Sequence, residues 1–414
     1  MLLLRELLTS SNANSCRILD VKRMKILFLS SSSDWHIDLW TQYFTENNSV
    51  FLFSDKEDYL TNEEFKDVMV VQSAGYFGRL LNLVKSSSHK LFQLNKIISV
   101  KYFASKIRRL IEDNNIDVVH AHNLYYGYLA SFLHKDIPVI FTPMGSDVII
   151  HAQNNMLYKW MAKKAFLRAN VVTGDSKLVQ SQGYKVGARR HNNFIIQNGV
   201  DTNIFYPHDT SIKEKYGVVC GELLLFSPRA ITPNYNIDVI IESLALMRDK
   251  GLNAKCMFSF AFGGKYYDRL RRLVETLDLK DRVIWLGRLS YTEMADHYNG
   301  ADIILSVPTS DSSPKSVYEA MFCRKPVVIS NIQWASEILS SSDCIQVDPK
   351  NALQLLQAVD AIRSDSAYGD SLAQSAYETA CKNFGYHENM RQMEEIMQQL
   401  CDQFKGKKQN IDAV

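Results

Sequence analysis

The residues with the clearest chemical content lie in the stretch PTSDSSPKSVYEAMFCRKPVV, at positions 308 to 328. Ser313 followed by Pro314 predicts the start of a helix, because serine is a good N-cap and proline suits the first helical position. The first turn then presents the N–H groups of Lys315, Ser316 and Val317. The charge of Lys315 has the wrong sign for this end of the helix dipole.

A bound phosphate group would resolve this conflict, since helix N-termini bind anions. Asp311 and Glu319 are eight residues apart and bracket the place that such a group would occupy. The sequence therefore predicts an anion-binding site at the start of this helix.

Length and composition place such a site in a folded protein of more than one domain. The chain has 414 residues, of which 46% are hydrophobic and 22% are charged, and this is typical of two or three globular domains. No apolar run approaches the length of a membrane span, and the opening MLLLRELL does not resemble an export signal. Seven scattered cysteines without metal-ligand spacing predict a reduced, cytoplasmic protein with no metal site.

Strands alternate with helices along most of the chain, which predicts parallel sheets with helices on both faces. Residues 206–221 contain no strong strand and divide the predicted strands into two groups. No G-x-G-x-x-G motif follows the first strand, which argues against a dehydrogenase. The predicted strands are Lys25–Ser30, Val50–Phe53, Asp117–His120, Val139–Thr142, Val171–Thr173, Phe194–Ile196, Leu223–Phe226, Lys255–Phe260, Val283–Leu286, Asp302–Val307 and Pro326–Ser330.

Two segments of the first group contain no acidic residue, 68–111 and 148–174. Basic residues alternate in them with apolar and aromatic ones. Such a segment is either a solvated helix face or a surface that docks on an anionic membrane, and the sequence leaves both interpretations open.

Seven stretches carry a family resemblance by their order and spacing. They are residues 308–328, DVVHAHNLYYGYLA (117–130), IPVIFTPMGSDV (137–148), VVTGDSKLV (171–179), FIIQNGVDTNIFYP (194–207), LLFSPRAITPNYNIDVIIESL (224–244) and RVIWLGRLS (282–290). Together they resemble the retaining glycosyltransferases of family 4. Residues 308–328 match the Glu-x7-Glu signature of that family, with aspartate in the first position.

The resemblance implies an α/β protein of the GT-B fold, with two Rossmann-like parallel-sheet domains facing each other across a cleft. We expect an N-terminal acceptor-binding domain and a C-terminal donor-binding domain, followed by a helix that returns to the first domain. Residues before the first strand form a leader that supplies no element of the fold and is consistent with a misassigned start. The expected boundaries are leader 1–23, acceptor domain 24–206, donor domain 207–385, returning helix 386–404 and disordered tail 405–414.

The implied function is transfer of a sugar from a nucleotide-sugar donor, with UDP as the expected nucleotide. The expected acceptor is a glycan or a lipid-linked molecule in surface polysaccharide biosynthesis. We expect no metal, no cofactor and no nucleic acid, and a cytoplasmic enzyme that is peripheral on the inner face of the cell membrane through 68–111 and 148–174. The alternatives are a non-catalytic GT-B scaffold or regulatory subunit, and a nucleotide-sugar 2-epimerase.

The resemblance also assigns roles to single residues. Arg229 matches the family's diphosphate-binding base, Glu319 its ribose contact and Asp311 its contact to the transferred sugar. His122 matches a histidine after a strand that faces the reacting sugar, whereas His120 is interpreted as packing. The remaining expected donor-site residues are Gly263 and Gly264, where the backbone approaches the nucleotide, Arg288 in the base-reading loop, and Ser316 and Val317 at the helix start.

One departure from the family concerns charge. The family usually has a lysine about six residues after the arginine, and Tyr235 occupies that position here. One phosphate-neutralising charge is therefore missing. We expect Lys315 to replace it, because the family more often has an apolar residue at that position.

Overall fold

The structure is a computed structural model that describes residues 23–31, 35–55, 68–72, 99–259 and 264–412. Five predictions fall wholly or partly outside these residues. They concern the leader, the larger part of segment 68–111, the last residue of the predicted strand Lys255–Phe260, Gly263, and the last two residues of the tail.

Thirteen described strands form two sheets in which all pairings are parallel, as the sequence predicts. The order in the N-terminal sheet is β3-β2-β1-β4-β5-β6-β7, and the order in the C-terminal sheet is β10-β9-β8-β11-β12-β13. The strands are β1 Lys25–Leu29, β2 Ser49–Ser54, β3 Val68–Gln72, β4 Val118–His122, β5 Val139–Thr142, β6 Val171–Gly174, β7 Asn193–Ile195, β8 Leu223–Ser227, β9 Ala254–Ser259, β10 Val283–Gly287, β11 Ile303–Ser306, β12 Val327–Ser330 and β13 Ile345–Val347.

Helices cover both faces of each sheet, so the predicted α/β architecture of two Rossmann-like domains is confirmed. A π-helical turn at Asp147–His151 precedes the fourth helix. The helices are α1 Trp35–Thr45, α2 Val100–Asn114, α3 Asn123–Ala130, α4 Ala152–Asn154, α5 Met156–Arg168, α6 Lys177–Val186, α7 Ile212–Lys215, α8 Ile237–Asp249, α9 Lys265–Thr276, α10 Tyr291–Gly300, α11 Lys315–Phe322, α12 Gln333–Ile338, α13 Ala352–Ser364, α14 Ser366–Asn383 and α15 Tyr386–Asp412.

The chain crosses between the domains twice at one place. Val200 leaves the first domain and forms a parallel bridge with Gly385, where the chain returns. Beyond it, α15 packs with α1 against the N-terminal sheet, and Met390, Met393 and Met397 of α15 are fully buried there. The last helix of the chain is therefore part of the core of the first domain. Among the helices that the structure describes, none is long and apolar enough to cross a membrane.

Four details differ from the sequence predictions. Strands β3 and β13 were not predicted, and both are short edge strands of their sheets. The predicted helix start at Ser313 is wrong by one residue, because Pro314 has extended backbone angles and is itself the N-cap of α11. The predicted disordered tail from residue 405 is also wrong as far as Asp412, since α15 continues to that residue.

Candidate functional site

The strand order of each sheet reverses at one point, between β1 and β4 and between β8 and β11. In open parallel sheets, ligands bind at the carboxyl ends of the strands beside such a point. Here those ends in the two domains line one shared cleft of about 790 Å³. The topology thus brings loops from both domains to a single candidate site.

Arg229 follows β8 and lines this cleft. Its side chain is only 8% exposed and has three partners. Nη1 donates to Ser316 Oγ at 2.7 Å, Nη2 forms an ion pair with Asp311, and the guanidinium stacks on the Tyr235 ring with its carbon 4.2 Å from the ring centre. A planar fork held in this way is suited to bidentate binding of phosphate.

Tyr235 therefore has a role that its position in the sequence does not reveal. It occupies the place where the family usually has lysine, and its ring supports the arginine instead of adding a second charge. The cation–π contact orients Arg229 and leaves its charge available.

Lys315 and Glu319 form the second charged pair in the cleft. Lys315 Nζ lies 4.0 Å from Glu319 Oε1 and 5.1 Å from the centre of the Tyr291 ring. Tyr298 donates a hydrogen bond of 2.9 Å to Glu319 Oε2. Burial lowers the pKa of Lys315 and raises the pKa of Glu319, and each partner opposes the shift of the other. The pair is therefore poorly solvated, which strengthens its response to an added charge.

The start of α11 offers fewer open N–H groups than the sequence predicts. Val317 N donates to Pro314 O at 2.9 Å, and the Val317 side chain is fully buried in the domain core. The expected contact of Val317 with a ligand is therefore not supported by its geometry. Lys315 and Ser316 do line the cleft.

His122 is the last residue of β4, not a loop residue after it. It is 1% exposed, and its ring centre lies 4.9 Å from that of Trp40 and 4.2 Å from that of His120. His120 is a packing residue in the same cluster, and its Nε2 lies 2.7 Å from Thr142 Oγ1. The next residue, Asn123, lines the cleft and has a left-handed φ of 61°. His122 thus lies beneath the cleft wall that Asn123 forms.

Two further predicted donor-site residues lie elsewhere. Gly264 is the N-cap of α9, with a φ of 151°, and Arg288 is exposed after β10. Neither is among the described residues that line the cleft. Gly264 comes after β9 in the chain and Arg288 directly follows β10, so both lie beyond the carboxyl ends of C-terminal strands.

The N-terminal domain contributes cleft residues that sequence reasoning missed. They include Gly145 after β5, Asp175 after β6 and Gln197 after β7. Their position after a strand was a readable signal, but nothing in the sequence shows which residue of the other domain each one meets. On the C-terminal side, Ser312 and Tyr291 were missed in the same way.

Acidic groups outnumber basic ones in the described cleft. The charged residues that line it are Asp147, Asp175, Arg229, Asp311, Lys315 and Glu319. Asp147 is used within its own domain, where its carboxylate accepts from the N–H groups of Leu124 and Met144. Arg229 and Lys315 each already lie beside a carboxylate. A bound anion would therefore have to displace these carboxylates from the two cations.

Two family models match successive parts of the chain. The model of glycosyltransferase family 4 matches residues 50–204, and the model of glycosyl transferases group 1 matches residues 209–379. Among curated proteins, the alpha-monoglucosyldiacylglycerol synthase of Streptococcus pneumoniae is 22% identical over 71% of this chain and 72% of its own length. A putative teichuronic acid biosynthesis glycosyltransferase of Bacillus subtilis is also 22% identical, over 70% of this chain and 72% of its own.

Solved structures share the fold across nearly the whole chain. The Anabaena protein HepE in complex with UDP and glucose has a TM-score of 0.72 and 18% identity, covering 91% of this chain and 100% of that one. The sucrose-phosphate synthase of Thermosynechococcus elongatus has a TM-score of 0.76 and 16% identity, covering 91% and 99%. With both domains matched by the family models, the chain belongs to the glycosyltransferases of family 4, which have the GT-B fold.

Proposed function

We propose that this protein is a retaining glycosyltransferase that takes its sugar from a UDP-linked donor. The acceptor is a glycan or a lipid-linked molecule in surface polysaccharide biosynthesis. The observation that carries the proposal is the oriented fork of Arg229 beside the start of α11, inside a cleft that both domains line.

The donor diphosphate binds by exchange of partners. Its oxygens take the place of the Asp311 carboxylate on Arg229, because two anions compete for one guanidinium. Asp311 is then free to accept hydrogen bonds from hydroxyls of the transferred sugar. Lys315 supplies the second phosphate-neutralising charge, and the carboxylate of Glu319 accepts from ribose hydroxyls.

Transfer then proceeds on one face of the donor. The bond from the anomeric carbon to the diphosphate oxygen breaks as the acceptor oxygen bonds to the same face of that carbon. The acceptor proton passes to the departing diphosphate. Catalysis comes from positioning and from the cations that stabilise the growing negative charge, so no protein base is needed. Direct contact of His122 with the sugar remains a prediction, because its ring lies beneath the cleft wall.

The names of related proteins and the ligands bound in a similar solved structure support this proposal. The relatives act, by their names, in glycolipid and teichuronic acid synthesis. HepE has been solved with UDP and with UDP-glucose. Both observations favour a UDP-sugar donor and an acceptor that belongs to the cell envelope.

We further propose that the enzyme works in the cytoplasm, docked on the inner face of the cell membrane. The exposed side of α5 presents Met156 at 89% exposure and Trp160 at 44%, together with Lys159, Lys163 and Lys164. Helix α2, on the same face of the sheet, adds exposed Lys101, Arg108 and Arg109. Apolar side chains flanked by lysine and arginine match an anionic lipid surface.

A thermal-shift panel of sugar nucleotides tests the donor proposal. A ligand present at about 100 times its Kd adds about 2.7 kcal/mol to the free energy of unfolding. We expect UDP-sugars to raise the melting temperature and GDP-sugars and ADP-sugars to raise it less. A panel in which no sugar nucleotide changes the melting temperature would contradict the proposal.

A further inference from the structure

The loop that carries Asp311 is tied to the N-terminal domain by two side-chain hydrogen bonds. Ser312 Oγ donates to Asp175 Oδ2 at 3.2 Å, and Ser313 Oγ donates to Gln197 Oε1 at 3.0 Å. Asp175 and Gln197 follow strands of the N-terminal sheet, whereas the serines belong to the C-terminal domain. The loop that carries Asp311 belongs to the C-terminal domain but is therefore held in place by residues of the N-terminal domain.

Gly145 shows how closely the two domains approach at this loop. A Cβ atom at this position would lie 2.3 Å from Ser312 Oγ, so only glycine leaves room for the serine hydroxyl. Gly145, at the start of the helical segment after β5, therefore packs directly against Ser312.

Asp311 and Ser312 are adjacent in the chain and joined by a hydrogen bond. Ser312 N donates to Asp311 Oδ1 at 2.8 Å, and the other carboxylate oxygen pairs with Arg229. A shift of the Ser312 backbone therefore displaces the Asp311 carboxylate. Reaction geometry tolerates little displacement of a group that contacts the reacting sugar.

We propose that Asp175 is a positioning residue for sugar transfer: through Ser312 it fixes residues 309–314 and so sets where Asp311 meets the donor sugar. The inference rests on the proposed function, because it assumes that Asp311 contacts the transferred sugar. Since the contact joins two domains, Asp311 is correctly placed only while the domains are together. Donor geometry is thereby coupled to the presence of the acceptor-side domain.

The chemistry of Asp175 suits this role. Its second oxygen, Oδ1, accepts from Ser176 Oγ at 3.1 Å, so both carboxylate oxygens are fixed. Asparagine has the same shape, keeps one oxygen for Ser312, and can donate to Ser176 Oγ. Alanine keeps neither contact. The pair of substitutions therefore separates the negative charge of Asp175, which both variants lack, from its hydrogen bonds, which only asparagine retains.

The test is a double-mutant cycle on donor turnover, measured as release of nucleoside diphosphate from UDP-glucose. Asp175→Ala and Ser312→Ala should each lower kcat by about tenfold and change the donor KM by less than about threefold. The double variant should be no slower than the slower single variant, because both changes remove one contact. Asp175→Asn should retain at least about a third of the wild-type kcat.

Ser181→Ala is the matched control, because the Ser181 hydroxyl donates within its own helix to Leu178 O and should leave kcat unchanged. Melting temperatures identify any variant whose loss reflects unfolding. Additive losses in the double variant, or an Asp175→Asn variant as slow as Asp175→Ala, would overturn the positioning role alone. A wild-type protein that turns over no sugar nucleotide would overturn the proposed function, and this inference with it.

Discussion

Two cations and the acids beside them organise the cleft at the scale of single residues. Arg229 is paired with Asp311, and Lys315 lies beside Glu319. An anionic donor must therefore replace protein carboxylates on cations that are already oriented. The Arg229 guanidinium is already held in one orientation before the donor binds. Binding therefore carries little entropic cost for ordering this side chain.

Lys315→Ala tests whether the lysine replaces the missing family lysine. We expect donor affinity and transfer rate each to fall by about tenfold, because the change removes a poorly solvated charge near the diphosphate. Lys350→Ala is the control, since this lysine is exposed before α13 and does not line the cleft. If affinity and rate are unchanged in Lys315→Ala, the lysine does not neutralise the donor diphosphate.

Asp175 also predicts a dependence of stability on pH. Burial between the domains raises its pKa from 3.8 to about 6, and the nearby Asp311 contributes in the same direction. The folded protein therefore holds this proton more tightly than the unfolded chain does. Its contribution to the free energy of unfolding falls as the pH rises from about 4 to about 6 and stays low above that range.

Asp175→Asn cannot ionise, so its stability relative to the wild type should increase across this range. The gain should approach at most about 3 kcal/mol, the free energy that corresponds to such a pKa change. Urea unfolding of both proteins at about pH 4.5 and about pH 7 measures it. A difference that is the same at both pH values would show that Asp175 titrates normally.

Much of the donor side of the site could be predicted from sequence, and much of the acceptor side could not. Lys315 was predicted from a local pattern, its position at a helix start, and Arg229 from the family resemblance, and the two do converge in the cleft. Asp175 meets Ser312, which is 137 residues away in the chain, and no local pattern encodes that contact. The burial of His122 against Trp40 depends on the packing of α1, and it could not be predicted from the sequence either.

At the scale of elements, two edge strands were missed, one in each sheet. Strand β13 has only three residues, whereas β3, with the sequence VMVVQ, has an apolar run that was not predicted as a strand. The predicted helix start at Ser313 was wrong because proline fixes φ but does not force ψ into the helical range, and Pro314 has an extended ψ. Local rules thus predicted most of the described strands, but not the two edge strands and not every boundary.

The exposed face of α5 predicts binding to anionic vesicles. Co-sedimentation should show binding to vesicles that contain phosphatidylglycerol, little binding to neutral vesicles, and release in about 0.5 M salt. Lys163→Glu combined with Lys164→Glu should weaken binding by more than about tenfold, since each charge contributes about 1 kcal/mol. Lys350→Glu on the other domain should bind as the wild type does. Absence of binding to either vesicle would make α5 an ordinary solvated helix.

At the scale of the whole molecule, the fold places two sheets so that their strands end at one cleft, with the chain crossing between them at Val200 and Gly385. The alternation of strands and helices predicted two groups of parallel strands, and the family resemblance predicted two Rossmann-like domains. It could not reveal how their loops interlock, since that depends on the relative placement of the domains.

The assembled cleft predicts a reaction that needs no divalent metal. Arg229 and Lys315 supply the positive charge beside the diphosphate, and no Asp-x-Asp pair occurs in the chain. Donor turnover should therefore survive treatment with EDTA. Activity that is lost in EDTA and restored by Mg²⁺ or Mn²⁺ would contradict this mechanism.

Turnover of UDP-glucose by the wild type and by Arg229→Ala tests the central claim most directly, because every proposed step begins with the diphosphate on this arginine. Loss of its charge-assisted contacts should cost about 3 kcal/mol, which is about a hundredfold in the rate of UDP release. The melting temperature of the variant shows whether the fold remains intact. A folded Arg229→Ala variant that releases UDP as fast as the wild type would contradict the account.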